Sequence, residues 1–122
     1  MRWNGIQMWC GAVDWPAFDG GDAMVVAGNA AAKLVLCLIA PGTAPGTAPD
    51  RRLTTWVACA RTADGATPPP GREHWSRPGR LGAFRHSARR LAELPFVNVA
   101  TMIAETTEIF ECPMCDRDPL PW

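Results

Sequence analysis

The sequence predicts an α+β domain in which a small antiparallel sheet from the first half packs with one or two helices from the second half. Two observations carry this prediction. Apolar residues alternate or run together in the first half, whereas apolar residues over 80–94 recur at helical spacing. The chain has 122 residues, of which 48% are hydrophobic, enough for one domain with a buried core. We therefore interpret residues 1–122 as a single domain.

The N-terminal part of the chain predicts strands. Residues 1–22 begin with a weak alternation of apolar residues that is typical of a short strand, and Pro16 marks the loop that follows. Met24–Ala27 predicts a second short strand. Gly28–Asn29 predicts a hairpin turn after it, because both residues tolerate positive φ.

The apolar run over residues 30–40 fits two structures. It can form a buried strand, or a helix capped by Asn29, and periodicity does not separate the two because the run is unbroken. We adopt the strand. Residues 53–61 give the clearest strand of the chain, since their side chains divide into two alternating sets. Loops are predicted at 41–52 and 62–79, where proline and glycine accumulate.

The second half predicts a helix over residues 80–94, which Pro95 would end. Residues 96–110 are undecided between a second helix and a strand. Their apolar spacing fits a helix, whereas their β-branched residues favour a strand. The residues that would share the apolar face of the first helix are Leu81, Phe84, Ala88 and Leu91.

The other face of that helix is strongly basic. Residues 71–90 carry six arginines against Glu73, although the formal net charge of the chain is zero. Such a face permits contact with nucleic acid or with an acidic protein surface. The alternative is a solvated face that pairs with acidic residues of the same chain. The candidate partner-binding residues are Arg80, Arg85, Arg89 and Arg90.

The strongest candidate for chemistry is the Cys112-Pro-Met-Cys115 stretch near the C-terminus. A Cys-x-x-Cys turn directs two sulfurs at one centre, which suits a structural zinc site or a reversible disulfide. The aspartate that follows, Asp116, disfavours a thiolate, and the prolines beyond it leave no room for the helix that usually follows a redox pair. These neighbours favour zinc, with redox chemistry and two free thiols as the alternatives.

This Cys-Pro-x-Cys stretch resembles the zinc knuckle of zinc-ribbon and rubredoxin-like proteins. Asp116 stands where those knuckles usually carry glycine, and the sequence contains no second Cys-x-x-Cys pair. The resemblance implies a Zn²⁺ ion held by Cys112 and Cys115, with the remaining ligands supplied from elsewhere in the chain. Those remaining ligands are expected to be Cys10 and His86, with Cys37, Cys59 and His74 as alternatives.

Five cysteines and six tryptophans distinguish the composition. The odd number of cysteines, and the lack of a continuous apolar run in residues 1–20, favour a reducing cytoplasm over a disulfide framework. Residues 23–40 are the most apolar stretch, but Lys33 near their middle favours core over a membrane span. We interpret the tryptophans as large core side chains, with an aromatic binding surface as the alternative.

The sequence lacks the common catalytic signatures, including a Gly-x-x-x-x-Gly-Lys loop, a Gly-x-Ser-x-Gly elbow and a His-Glu-x-x-His helix. We therefore expect binding rather than catalysis. The main hypothesis is a small regulatory protein, stapled by zinc, whose basic helix contacts nucleic acid or an acidic protein. One alternative is a phage-type inhibitor or assembly subunit that acts by protein interaction without metal. The other is a thiol redox protein that uses Cys112 and Cys115. The oligomeric state stays open.

Overall fold

The structure is a computed structural model that describes residues 2–18, 23–41, 51–62 and 98–116. The strands build one antiparallel sheet in the order β2-β3-β4-β1-β5, so that β2 and β5 form its two edges. The elements in chain order are β1 (Arg2–Pro16), β2 (Met24–Gly28), β3 (Ala32–Pro41), β4 (Arg51–Arg61), α1 (Val99–Glu105) and β5 (Ile109–Asp116).

The expected balance of sheet and helices is wrong for the described residues, which form mainly a five-stranded sheet with a single short helix. The helix predicted over 80–94 lies outside them. Residues 96–110 divide between the two predictions, because Val99–Glu105 is helical and a strand begins at Ile109. The loop expected over 41–52 is also too long, since Arg51 and its neighbour already belong to β4.

The predicted C-terminal knuckle is wrong as well, because Cys112 and Cys115 both lie within β5. This stretch pairs with β1, with Cys112 opposite Met8 and Cys115 opposite Trp3. Pro113 removes one backbone donor from the ladder, which an edge strand such as β5 tolerates. A spacing of three residues then places the two cysteine side chains on opposite sides of the strand.

A local irregularity adapts the beginning of β1 to β5. Gly5 has a φ of 80°, and the register between the two strands shifts between Trp3 and Gln7. Asn4 Oδ1 accepts a hydrogen bond from the Ile6 amide at 3.1 Å, and the Trp3 indole donates to the Ile6 carbonyl at 2.9 Å. β1 continues through this irregularity and is 15 residues long, longer than the short strand that the sequence predicts.

β2 and β3 form a hairpin at the predicted place. The Asn29 amide donates to the Ala32 carbonyl at 2.8 Å, and Asn29 Oδ1 accepts from the amides of Ala31 and Ala32 at 2.8 and 3.1 Å. Gly28 has a φ of 152°, and a Cβ at this position would collide with the Ala32 carbonyl. The strand interpretation of residues 30–40 is confirmed from Ala32 onward. The expectation that this strand is buried is wrong for part of it, because Lys33 and Ile39 are exposed.

One face of the sheet, which we call the core face, packs with α1 into the hydrophobic core. Trp9 and Trp56 are 2% and 0% exposed, so both act as the large core side chains that the sequence predicts. The alternation predicted over 53–61 is observed, with every second residue from Thr54 buried. Other members of the core are Val13, Leu34, Leu36, Ala58, Val99, Met102 and Ile103.

A buried hydrogen bond fixes α1 on the core face. Trp56 Nε1 donates to Thr106 Oγ1 at 3.0 Å, and the Thr106 hydroxyl donates to the Met102 carbonyl at 2.9 Å. At the other end of α1, Asn98 Oδ1 accepts from the Thr101 amide at 3.1 Å and so caps the helix. The helix is therefore anchored to β4 by a directional contact as well as by packing.

Gly11 of β1 provides the space that this contact needs. It pairs with Trp56 in the β1–β4 ladder. A Cβ at Gly11 would lie 2.7 Å from Thr106 Cγ2 and 2.9 Å from the Trp56 ring. Both distances are shorter than normal van der Waals contacts, so only glycine fits without displacing the Trp56–Thr106 pair.

Replacing Gly11 with alanine should destabilise the fold, because the added methyl group forces Trp56 or Thr106 to move. Overpacking of this kind costs about 1–3 kcal/mol. We expect the free energy of unfolding, measured by urea denaturation, to fall by that amount. Ala12→Ser, at the exposed neighbouring position, is the control and should change it little. A Gly11→Ala variant as stable as the wild type would show that Trp56 and Thr106 can move aside without a cost in stability.

Gln7 is a buried polar residue on the core face. Its side chain is 4% exposed, and neither its amide nitrogen nor its oxygen has a hydrogen-bond partner among the described residues. Its partners across the ladders, Ala60 and Pro113, offer only apolar side chains. An unsatisfied buried amide costs about 1–3 kcal/mol, so Gln7 destabilises the fold.

Replacing Gln7 with methionine should therefore stabilise the protein. Methionine has a similar length and no polar atom to desolvate, so we expect a gain of about 1 kcal/mol in the free energy of unfolding. Thermal and urea denaturation measure it. Gln7→Glu is the matched comparison and should lose stability, since it buries a charge in the same place. A loss of stability in Gln7→Met would mean that the Gln7 amide makes a stabilising contact.

Candidate binding surface on the outer face of the sheet

The face of the sheet opposite α1, which we call the outer face, carries four cysteine thiols and the positive side chains of Lys33 and Arg61. Strand alternation and the ladder registers assign residues to it. Most of its side chains are half-buried or exposed. It includes Ile6, Met8, Cys10, Met24, Val26, Lys33, Val35, Cys37, Val57, Cys59 and Arg61.

Four of the five cysteines share the outer face. Met8 lies between Cys59 and Cys112, which are its partners on β4 and β5. Cys10 follows Met8 by two residues, and Cys37 lies on β3. All of the cysteines are free thiols. The structure thus brings Cys10 and Cys112 together on one face, as the zinc hypothesis requires of two of its ligands.

The structure does not show the other two predicted zinc ligands, Cys115 and His86, beside Cys10 and Cys112 on the outer face. Cys115 points to the other side of β5 from Cys112, and His86 lies outside the described residues. Within residues 2–18, 23–41, 51–62 and 98–116, no group of three or more Cys, His, Asp or Glu side chains could hold a metal ion. The turn expected to organise the site is absent from β5, and zinc binding stays a prediction.

Burial governs the thiols at the centre of the outer face. It raises the pKa of the Cys10 thiol above its ordinary value, and the nearby Cys112 thiol raises it further. For Cys59, burial is again the largest cause and raises the pKa, while Lys33 lowers it and Cys10 raises it. Both thiols are therefore protonated at neutral pH and poorly nucleophilic. This environment disfavours redox chemistry at these two positions.

These raised pKa values should make the protein less stable at alkaline pH. The folded state binds the thiol protons of Cys10 and Cys59 more tightly than the unfolded chain does. Their contribution is complete below the ordinary thiol pKa of about 8.5 and is lost as the pH rises through and above it. We expect the free energy of unfolding, measured by urea titration, to decline between about pH 8 and pH 10.

The double variant Cys10→Ala, Cys59→Ala supplies the control for this pH dependence. It removes both shifted groups, so its decline above pH 8 should be shallower than that of the wild type. Equal slopes in the two proteins would mean that other groups cause the alkaline loss of stability.

The positively charged residues that the structure describes are not the arginines that the sequence predicts to bind a partner. Arg80, Arg85, Arg89 and Arg90 lie outside the described residues, so their proposed contacts stay a prediction. Arg51 donates to the Asp14 carbonyl at 2.6 Å at one end of the sheet. Lys33 and Arg61 lie at the other end, where they line a cavity of about 270 Å³ beside the β2–β3 hairpin.

β2 is an edge strand with exposed apolar side chains. Met24 and Val26 are 64% and 56% exposed, and Ile39, at a register shift in β3, is 54% exposed. β2 contains neither a charged residue nor a proline, whereas β5 at the opposite edge carries Glu111 and Pro113. Charges and prolines are the usual protection of sheet edges, so β2 is the less protected edge.

The backbone of β2 also presents hydrogen-bonding groups outward. The hydrogen bond that closes the hairpin sets the alternation of the ladder, so Ala27 and Val25 form the next hydrogen-bonded pairs with β3. Met24 and Val26 then direct their N–H and C=O groups away from β3. Their backbone hydrogen-bonding groups and their exposed side chains are therefore both accessible to a partner strand at this edge of the sheet.

Comparison with known proteins does not assign the chain to a family. No protein-family model matches it, and no curated protein is significantly similar to it. No helix in the described ranges has the length and apolar character needed to cross a membrane.

Proposed function

We propose that the protein is a non-enzymatic binding protein that recognises an extended segment of a partner protein along β2. The observation that carries this proposal is the exposure of Met24 and Val26 on an edge strand without protecting charges. A partner segment would add to the sheet as a sixth strand. Its main chain would provide affinity, and its alternate side chains would provide specificity.

The size of β2 favours a partner segment over a second copy of this chain. Five residues span about 17 Å. A stable interface between two folded proteins buries about 1,200–2,000 Å², which so short a strand does not supply by itself. An extended segment needs only the strand edge and the neighbouring apolar side chains, so it matches the surface that β2 offers.

The exposed side chains indicate the chemistry of that segment. Met24 and Val26 are two residues apart on β2 and therefore face the same side of the sheet. A partner strand would place every second side chain on this side, next to them. We expect the segment to carry apolar residues, preferably β-branched or aromatic, at alternate positions.

The other functions that the sequence suggests involve residues outside β2. The basic helix over 80–94 lies outside the described ranges, and its contact with nucleic acid or an acidic protein stays a separate prediction. A redox function of Cys112 and Cys115 requires two adjacent thiols, whereas alternation in β5 directs them to opposite sides. This geometry favours the hypothesis of protein interaction without metal chemistry.

Val26→Pro should abolish recognition while preserving the fold. Proline removes the outward N–H of Val26, which a partner strand needs, and edge strands tolerate proline there. Selection from a library of random displayed peptides measures the preference. We expect the wild type to enrich peptides with alternating apolar residues. We expect Val26→Pro to bind the enriched peptides about tenfold more weakly or worse, a loss of at least about 1.4 kcal/mol.

The matched control is Val26→Thr, which keeps the N–H and the β-branched shape and should retain binding. The intact fold of each variant is checked from its unfolding transition. Equal affinities of Val26→Pro and the wild type, or enrichment without alternation, would overturn the proposal. So would self-association in analytical ultracentrifugation that Val26→Pro abolishes, because it would assign the edge to a second copy.

A further inference from the structure

The cavity beside the β2–β3 hairpin is lined by two positive side chains, Lys33 and Arg61. Lys33 of β3 pairs with Cys59 of β4, and Arg61 follows Cys59 by two residues on the same face of β4. Both cations line the cavity, whose volume is about 270 Å³. An anion in this cavity would therefore lie near both charges.

The rest of the lining is mainly apolar. Ile6 of β1 is the ladder partner of Arg61, and Met114 reaches the cavity from β5. Ala30 and Ala31 of the hairpin turn line another side, where their small side chains leave the space open. The cavity thus combines apolar walls with a positive rim, which is the usual composition of a site for a small amphipathic ligand.

The described residues do not neutralise this positive rim. Lys33 is exposed and has no ion pair or hydrogen bond with them, and none of the described lining residues is acidic. Arg61 Nη1 donates to the Asn4 carbonyl at 3.2 Å. That contact orients the guanidinium and leaves its other edge for a ligand. A backbone hydrogen bond from the Arg61 amide to the Ala31 carbonyl, at 2.9 Å, fixes β4 against the hairpin.

We propose that this cavity binds a small organic carboxylate with an apolar body. The Arg61 guanidinium matches a carboxylate in a forked geometry, and the Lys33 ammonium adds a second charge. Ile6 and Met114 contact the apolar body. The volume is slightly below the range of about 300–1,000 Å³ that is typical of ligand sites, so it restricts the ligand to a small molecule. This site does not depend on the β2 edge and stands independently of the proposed partner segment.

Titration of the full chain with octanoate tests this site. We expect saturable binding in isothermal calorimetry, with amide NMR shifts concentrated at Ala30, Ala31 and Cys59. Lys33→Gln and Arg61→Gln should each weaken octanoate binding about tenfold or more. Arg51→Gln, which removes a cation at the far end of β4, is the matched control and should bind like the wild type.

Three further probes define the ligand class. 1-Octanol has the same apolar body without the charge and should bind about tenfold more weakly than octanoate or worse. Octyl phosphate and inorganic phosphate test the anionic group. Tighter binding of octyl phosphate would reassign the site to phosphate esters, and equal binding of inorganic phosphate would show an adventitious anion site. Either result would overturn the carboxylate assignment, as would octanoate binding that Lys33→Gln and Arg61→Gln leave unchanged.

Lys33 is the only lysine of the chain, so its acetylation by acetic anhydride gives a second measurement on the wild-type protein. Octanoate should slow the modification of Lys33, followed by peptide mass spectrometry, whereas 1-octanol at the same concentration should not. An acetylation rate that octanoate does not change would place any bound carboxylate elsewhere.

Discussion

The buried hydrogen bond from Trp56 to Thr106 is the interaction on which the described fold depends. Trp56 lies on a central strand with no exposed surface, and a buried N–H without a partner would cost about 1–3 kcal/mol. Thr106 satisfies it at the point where the chain leaves α1, and its hydroxyl also donates to the Met102 carbonyl. The same contact thus completes the core, ends the helix and requires glycine at position 11.

This arrangement gives the two faces of the sheet different roles. The core face is filled by α1 and by the large side chains of Trp9 and Trp56. The outer face instead carries protonated thiols and a cavity rimmed by Lys33 and Arg61. The exposed side chains of Met24 and Val26 also lie on the outer face, and the backbone edge of β2 is unpaired among the described strands. The two proposed binding sites use separate parts of this side, a strand edge for a protein segment and a cavity for a small carboxylate.

Local features were predictable from the sequence, but the assembly of the sheet was not. The hairpin at Gly28 and the alternation around Trp56 depend on neighbouring residues, and both are observed. The pairing of Cys112 with Met8 joins opposite ends of the chain, so the Cys-x-x-Cys pattern predicted a turn where a ladder forms. The cavity lined by Lys33 and Arg61 likewise depends on the pairing of strands that are distant in the sequence. Its only local signal was Lys33, an isolated charge within an apolar run.

Hydrogen exchange of the free protein, followed by NMR at single residues, tests whether the core face is closed while the β2 edge stays open. We expect slow exchange of the Trp56 indole proton and of the Val25 and Ala27 amides. We expect fast exchange of the Met24 and Val26 amides, which point away from β3. Uniform protection along β2, or rapid exchange at the Trp56 indole, would contradict this arrangement.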